Sequence, residues 1–448
     1  MDTHLTNEAQ FKRGLANRQM RGNLWRRFFI LSTTIAILAL IALFFNVANR
    51  AFGYVISDFT PNITDLTEDG NIAALTEAQL ATIIEDFAPN TLRVIIRNEL
   101  SVVPNTEFTT TPLNVALAGR NVPAEYAELT INDLEAPDWA RIIGLNVSHD
   151  RLVDIVMTDI IEEHIIKTYA LTESIFEREK IQQFAAEEHP NSVLYFRSWV
   201  DFNFITNPGS SDATQAGIRT ALLGSLWVIF ITILFSFPIG VGAAIYLQEY
   251  ASDTPLNNLI ETNIRNLAGV PSIIYGLLGL AIFVRTLGTI TQGRTILSAG
   301  LTMALLILPV IIINSQEALR AVPSSIREGS YGLGATKWQT IWRSVLPAAL
   351  PGILTGTILG VSRAIGETAP LIIVGASTAI FSNTPPDPNS PFSSFTAVPL
   401  QIYQWTARPQ EEFKTIAAAA ILVLLVLLLT LNATAIILRQ QFRKRLSA

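Results

Sequence analysis

The chain has 448 residues, of which half are hydrophobic and only 15% charged, and it contains no cysteine. Its mean hydropathy of +0.38 is too apolar for an ordinary soluble protein and calls for membrane spans. A pI near 5.4 argues against nucleic-acid binding, and without cysteine neither a disulfide framework nor a thiolate metal site can form. Four histidines (His4, His149, His164 and His189) stand apart from one another at no metal-ligand spacing, so no metal or cofactor is expected.

Residues 1–27 are polar and basic, and Phe28 to Ala48 is an apolar run long enough to span. The run is too long for a secretory signal and lacks a small-residue cleavage site. The basic flank predicts a cytoplasmic N-terminus. Residues 50–216 are polar, acidic and without a spanning run, which predicts a mixed α/β domain on the far side of the membrane. Within it, Thr76 and Gln79 make a capping box for a helix through about Phe87. Thr91 to Val103 reads as a strand pair or a strand and turn. Ser148 opens a helix carrying Leu152, Ile155, Val156, Ile160 and Ile165. Ser174 and Glu177 make a second box for a helix stopping before Pro190, and Val200, Phe202 and Phe204 alternate as in a strand. No catalytic constellation is present, and a docking role for the domain is expected.

Five further apolar segments follow: Thr220–Leu247, Leu267–Val284, Ile296–Ile313, Leu350–Ile380 and Ile416–Leu438. Six spans from a cytoplasmic N-terminus place the basic tail 439–448 in the cytoplasm as well. Gly352, Gly356 and Gly360 fall on one helix face, where small residues let helices approach closely.

Between the fourth and fifth spans lies a polar loop, Glu328 to Pro347, much longer than a simple connection needs. Glu328 opens a short helix, Gly334 allows a sharp turn and Thr336 can cap a second helix. That helix carries Trp338, Ile341, Trp342 and Val345 as an apolar stripe, with Lys337 beside it, and Leu346-Pro347 ends it before the next span. Such a stripe wants a protein partner or, failing that, the membrane surface.

The fifth span contains Arg363, Glu367 and Thr368. A charge near the middle of a span costs roughly 2.5–3.5 kcal/mol on insertion scales and faces a polar path or a partner. Arg363 and Glu367, four apart, fall on one helix face, where they either neutralise each other or act on an anion. In the second case Arg363 offers donors matched to an oxyanion, and Glu367 accepts a proton from it.

The loop resembles the coupling loop of ABC-importer permeases, whose pattern begins Glu-Ala-Ala and runs through Gly to Leu-Pro. Glu328, Gly334 and Leu346-Pro347 are in register, while Gly329, Ser330 and Ser344 depart from it. The run Arg363-Ala364-Ile365-Gly366-Glu367-Thr368-Ala369-Pro370 resembles the signature of the A-type permease of phosphate ABC importers. Ile239–Tyr250, Leu267–Leu277 and Asn207-Pro208 support it. The run Ile313-Asn314-Ser315-Gln316 lacks the arginine common at the end of the family's fourth span, and the domain at 50–216 exceeds the family's minimal loop.

The resemblance implies an all-α polytopic membrane protein with six transmembrane helices, the type I ABC importer permease fold, plus the inserted mixed α/β extracytoplasmic domain. The parts are a cytoplasmic N-terminus (1–27), a first span (28–48), the domain (50–216), a permease core (217–438) and a tail. The implied function is a phosphate-importing subunit of the bacterial inner membrane, not itself an enzyme, working by alternating access. Its implied partners are a related second permease in a heterodimer, two ATP-binding subunits, an extracytoplasmic phosphate-binding protein, phosphate and membrane lipid. The coupling residues would be Glu328, Gly334, Lys337, Trp338 and Pro347, with Arg363, Glu367 and Thr368 on the substrate path. The chain has no Gly-x-x-x-x-Gly-Lys-Ser/Thr loop, so ATP hydrolysis falls to a partner. Rival readings are a permease for another oxyanion, the sibling C-type phosphate subunit, and a membrane sensor with an extracytoplasmic ligand-binding domain.

Overall fold

The computed structural model describes residues 3–61, 66–67, 71–190, 192–376 and 390–447. It divides into two compact units. One comprises Met1–Gly53, Ala170–Thr172 and Ser198–Ala448, and the other Tyr54–Tyr169 and Glu173–Arg197.

The smaller unit is mixed α/β. Its helices α2 (Glu77–Phe87), α3 (Pro89–Ile95), α4 (Ala136–Asn146) and α5 (His149–Ile155) enclose a core that includes Leu80, Ile84, Leu92, Ile96, Ile142 and Leu152. Thr76 makes the expected capping box with Gln79 and starts α2. The segment expected as a strand pair or a strand and turn is instead α3 followed by a wide turn, Ile96–Leu100. Pro89 stands in the first turn of α3, and Leu92, Ile95, Ile96 and Leu100 are all buried. Their spacing of three and four gives a helical apolar stripe, which outweighs the strand propensity of the β-branched residues.

The helix starting behind Ser148 runs through Ile155 and a wide turn to Ile160, but Ile165 belongs to a strand. The second expected capping box does not form. Ser174 lies inside α6 (Leu171–Phe176) and its hydroxyl accepts from Tyr54 N at 2.8 Å, while Glu177 precedes α7 (Arg178–Glu188). That helix does stop before Pro190.

Three strands, β1 (Phe52–Thr60), β2 (Glu162–Thr168) and β3 (Val193–Ser198), form a sheet in the order β2-β1-β3. β1 and β2 are antiparallel, with Val55 opposite Thr168 and Thr60 opposite Glu162, and the register slips between Ile56 and Ser57. The Glu163 carboxylate fastens all three strands. It accepts from Ser57 Oγ of β1 at 2.6 Å, from Arg197 Nη1 of β3 at 2.9 Å and from the Tyr195 hydroxyl. Burial pushes the Tyr195 hydroxyl up, and its bond to Glu163 adds to the shift.

The larger unit is helical. Among the described residues, five of its helices are long and apolar enough to cross a membrane, or six segments if one bent pair counts as a span. α1 (Thr3–Ala51) and α16 (Val398–Thr406) lie along α17 (Glu411–Ser447). α8 (Arg219–Ile245), α11 (Ile296–Arg320) and α14 (Leu346–Gly366) make the core, with α11 between the other two. The glycine face of α14 lies on α11. A side chain at Gly356 would come within 2.2 Å of Asn314 Cβ, so only glycine permits this approach. The bent pair is α9 (Pro255–Leu267) and α10 (Ser272–Gly279, continuing as a wide turn to Thr286), which meet at 106°. The third apolar segment therefore starts at Ser272 rather than Leu267, because Gly269 and Pro271 interrupt the helix between them. Phe202 and Phe204 are not in a strand. Asp201 accepts from Phe204 N at 2.6 Å and caps a single helical turn, Phe202–Thr206. Residues 377–380 of the expected fifth span lie outside the described residues.

Arg197 and Glu163 are each only 17% exposed at the side chain. Glu163→Ala would remove the largely buried carboxylate that Ser57, Tyr195 and Arg197 share and is expected to weaken the sheet by about 3 kcal/mol. Hydrogen exchange on the full-length protein checks this through faster exchange of β1–β3 amides, with Glu163→Gln affected less.

Candidate functional site

Two groups of side chains stand out in the helical unit. The first is the loop between α11 and α14. Its first helix, α12 (Ser324–Gly332), starts behind Pro323, so Glu328 sits in the middle of α12 and not at its start. Gly334 has φ +80°, the left-handed conformation that allows the chain to reverse after α12. Thr336 then caps α13 (Lys337–Thr340) with the reciprocal bonds of a capping box: Gln339 N donates to Thr336 Oγ1 at 3.3 Å, and Thr336 N to Gln339 Oε1 at 2.9 Å.

α13 does not stop at Leu346-Pro347. It continues through a wide turn, Ile341–Val345, into α14. Pro347 has no N–H, and its ring would crowd the carbonyl four residues back. The wide turn makes room, so the second loop helix and the following span form one continuous rod. The expected apolar stripe divides for the same reason. Ile341 and Val345 are buried in the helical unit, whereas Trp338 and Trp342 are more than half exposed and stack on each other with ring centroids 5.5 Å apart. Leu333, 91% exposed, and Tyr331 extend the list of uncovered apolar residues in this loop.

The loop is held by an ion pair that sequence reasoning missed. Arg327 Nη2 donates to Glu249 Oε1 at 2.7 Å, and the guanidinium also donates to Leu319 O at 2.9 Å and Val322 O at 2.8 Å. Glu249 is 7% and Arg327 20% exposed at the side chain. The fork thus ties α12 to the wide turn ending α8 (Tyr246–Tyr250), to the Leu319 carbonyl in the last turn of α11 and to the Val322 carbonyl just beyond it. Beside it, Lys337 Nζ lies over the Tyr250 ring at 5.0 Å, and Arg320 Nη2 donates to Gln248 Oε1 at 3.3 Å. The available sequence signal was an acidic residue at the end of one span and a basic residue just past the end of another.

The second group is at the end of α14. The helix stops at Gly366. Glu367 is extended (φ −84°, ψ +117°), and a new helix, α15 (Ala369–Val374), begins behind Thr368. Arg363 and Glu367 therefore do not share a continuous helix face. Pro370 explains the break, since it fits the first turn of a new helix but not the interior of α14. The two charges still meet: Arg363 Nε lies 3.6 Å from Glu367 Oε1. Among the described residues this is the one ion pair of Arg363, whose side chain is 49% exposed against 23% for Glu367.

The surroundings hold the break in place. Gly276 of α10 faces Pro370, where an added Cβ would lie 2.8 Å from its Cα. Ser362 Oγ donates to Asn432 Oδ1 of α17 at 2.7 Å. Thr368 contributes its carbonyl, which accepts from Ile372 N at 3.1 Å. Arg363 thus lies on a helix packed against α11 and α17, next to a helix end in an otherwise apolar segment.

Residues 236–447 match the family described as the binding-protein-dependent transport system inner membrane component. The chain is 34% identical over 259 residues to the Bacillus subtilis (strain 168) "Probable ABC transporter permease protein YqgI", covering 56% of this chain and 87% of that protein. It is also 34% identical over 224 residues to the "Phosphate transport system permease protein PstA 1" of Mycobacterium tuberculosis (strain ATCC 25618 / H37Rv), covering 50% of this chain and 70% of the relative. Among solved structures, half of the chain overlays on 94% of a chain of the inward-facing MetNI methionine ABC transporter, at 17% identity and a TM-score of 0.40, too loose a fit to bear weight. The identity and coverage of the first two relatives are sufficient: the chain belongs to the binding-protein-dependent transport system inner membrane components and is a permease subunit of an ABC importer.

Proposed function

We propose that this permease carries inorganic phosphate across the bacterial inner membrane and is driven by a separate ATPase. The observation that carries the reading is the half-exposed Arg363 guanidinium beside the helix break at Glu367-Thr368. A cation at that depth facing lipid would be strongly unfavourable, so its open side belongs to an aqueous path or a partner subunit. A guanidinium fork fits a tetrahedral oxyanion, and Glu367 supplies an acceptor for the remaining proton of hydrogen phosphate. The name of the M. tuberculosis relative points to the same solute. Sulfate, which carries no proton at neutral pH, would meet Glu367 as a repelling charge. Thr368 supplies polar backbone at the same level.

Six spans with both termini in the cytoplasm put the α12–α13 loop on the cytoplasmic side and residues 54–197 outside. A second, related permease completes the path. Two ATP-binding subunits dock on the loop, through Glu328, Lys337 and the exposed Trp338–Trp342 stack. Gly334 gives the loop its shape, and Pro347 lies at the base of the rod that leads into α14. A phosphate-binding protein delivers the solute from outside. ATP acts only through its different affinity for the two conformations, and reversing a strongly biased equilibrium needs about 5.5 kcal/mol of such difference. Because α13 is continuous with α14, motion of the docked loop passes into the helix that carries Arg363. Phosphate meets Arg363 as a passing partner, since a conduit must also release.

In vesicles carrying the full complex, Arg363→Ala is expected to abolish phosphate uptake while ATP hydrolysis and assembly persist. Unchanged uptake would remove Arg363 from the path. Gly334→Pro replaces a left-handed residue by one locked at negative φ, and it is expected to uncouple hydrolysis from transport. Parallel assays of the two rates give that answer directly. Glu249→Ala strands the Arg327 charge and is expected to cost about 3–5 kcal/mol of local stability. Accelerated proteolysis within residues 320–345 reads it out, with Glu249→Gln milder.

A further inference from the structure

One uncovered apolar face has no part in the transport reading. α9 (Pro255–Leu267) is a well-started helix: Thr254 Oγ1 accepts from Asn257 N at 3.3 Å, and Pro255 occupies its first turn. Leu256, Ile260, Ile264 and Leu267 recur at spacings of three and four. Ile264 turns toward the core of the helical unit, whereas Leu256, Ile260 and Leu267 remain exposed, with Leu259 at the edge of the stripe. Asn258, Thr262 and Arg265 occupy the opposite side. The helix carries one acidic and one basic residue, and these pair with each other, Arg265 Nη2 to Glu261 Oε1 at 2.8 Å.

Its placement follows from the chain on either side. α8 leads into α9 through the turn Tyr246–Tyr250, and α9 meets α10 at 106°, close to perpendicular. If α10 runs across the membrane, α9 runs along its surface. Tyr246 and Tyr250 are exposed at the end of α8, where amphipathic rings mark the level of the headgroups. We propose that α9 is an interfacial helix whose Leu256–Ile260–Leu267 stripe inserts among the acyl chains of the leaflet at the α8–α10 end. In the orientation proposed above this is the cytoplasmic leaflet. The occupant is hydrocarbon and not an anionic headgroup, because the paired charges leave the helix with no net attraction for anionic lipid. The inference does not depend on which solute is carried.

The absence of cysteine from this chain makes the test direct, since each introduced thiol is the only one the subunit carries. Nitroxide labels are placed singly at Leu256→Cys, Ile260→Cys and Leu267→Cys, and at Asn258→Cys and Thr262→Cys, in the full transporter in lipid nanodiscs. Asn263→Cys adds a probe within the stripe that leaves every apolar residue intact, so the result does not hang on variants that fail to assemble. Stripe positions and 263 are expected to collide severalfold more with oxygen than with a water-soluble nickel chelate, and 258 and 262 the reverse. Replacing phosphatidylglycerol by phosphatidylcholine is expected to leave both patterns unchanged. Stripe labels shielded from both reagents would mean that a protein subunit covers α9, and labels as open to nickel as Thr262→Cys would mean water; either overturns the proposal. Withdrawal from the membrane in neutral lipid would also overturn it.

Discussion

The buried fork between Arg327 and Glu249 governs how this permease is put together. Two charges removed from water at the end of a helix bundle are tolerated only when paired and fully hydrogen-bonded. Here the guanidinium meets that condition by donating to Glu249 and to the carbonyls of Leu319 and Val322. Leu319 lies in the last turn of α11 and Val322 just past its end, where helix carbonyls are short of intrahelical donors. One side chain thus completes a helix terminus, pairs a charge left at the end of α8, and fixes the direction in which α12 leaves the bundle. The loop cannot swing freely without exposing an unpaired carboxylate, so a force applied to it is passed to α8 and α11.

At the other end of α14 the same rule is used in a looser form. The Arg363–Glu367 contact is longer, and it is far more exposed than the Arg327–Glu249 fork. A tight, desolvated pair would be a structural rivet. A longer, half-exposed pair leaves donors on the guanidinium for another ligand. The helix break adds to this, since an extended residue in a span is tolerated only where neighbouring protein or a cavity covers it. Gly276 lets α10 press against Pro370, while the Arg363 side chain stays half exposed.

Much of this was legible in the sequence. The capping residues Thr76 and Thr336, the turn at Gly334 and the glycine face of α14 each follow from local rules of backbone and packing. The signals that misled were also local. Val200, Phe202 and Phe204 alternate like a strand, yet Asp201 caps a helical turn there. Leu346-Pro347 looks like a helix stop, yet a wide turn absorbs the proline. The same residue type does end a helix at Gly366, because Pro370 falls where a new first turn can begin. What the sequence could not give was long-range pairing. Nothing in the order of residues joins Glu249 to Arg327, or Glu163 to both Ser57 and Arg197, because these contacts depend on how distant segments are brought together.

The continuity of α13 with α14 changes how the loop relates to the path. Had Leu346-Pro347 ended the helix, the exposed tryptophans would sit on a hinge, and their motion would be lost at the joint. A continuous rod instead carries the stacked Trp338–Trp342 pair at one end and Arg363 near the other. The wide turn Ile341–Val345 is the one place where its hydrogen-bond ladder changes before the break at Glu367. On the proposed function, a small tilt at the α13 end displaces the guanidinium by an amount set by the length of the rod and not by loop flexibility. The α12 end is tied to α8 and α11 through Arg327, so such a tilt has a fixed point to turn about. Coupling, on that proposal, is a matter of leverage between a clamped loop and an interrupted helix.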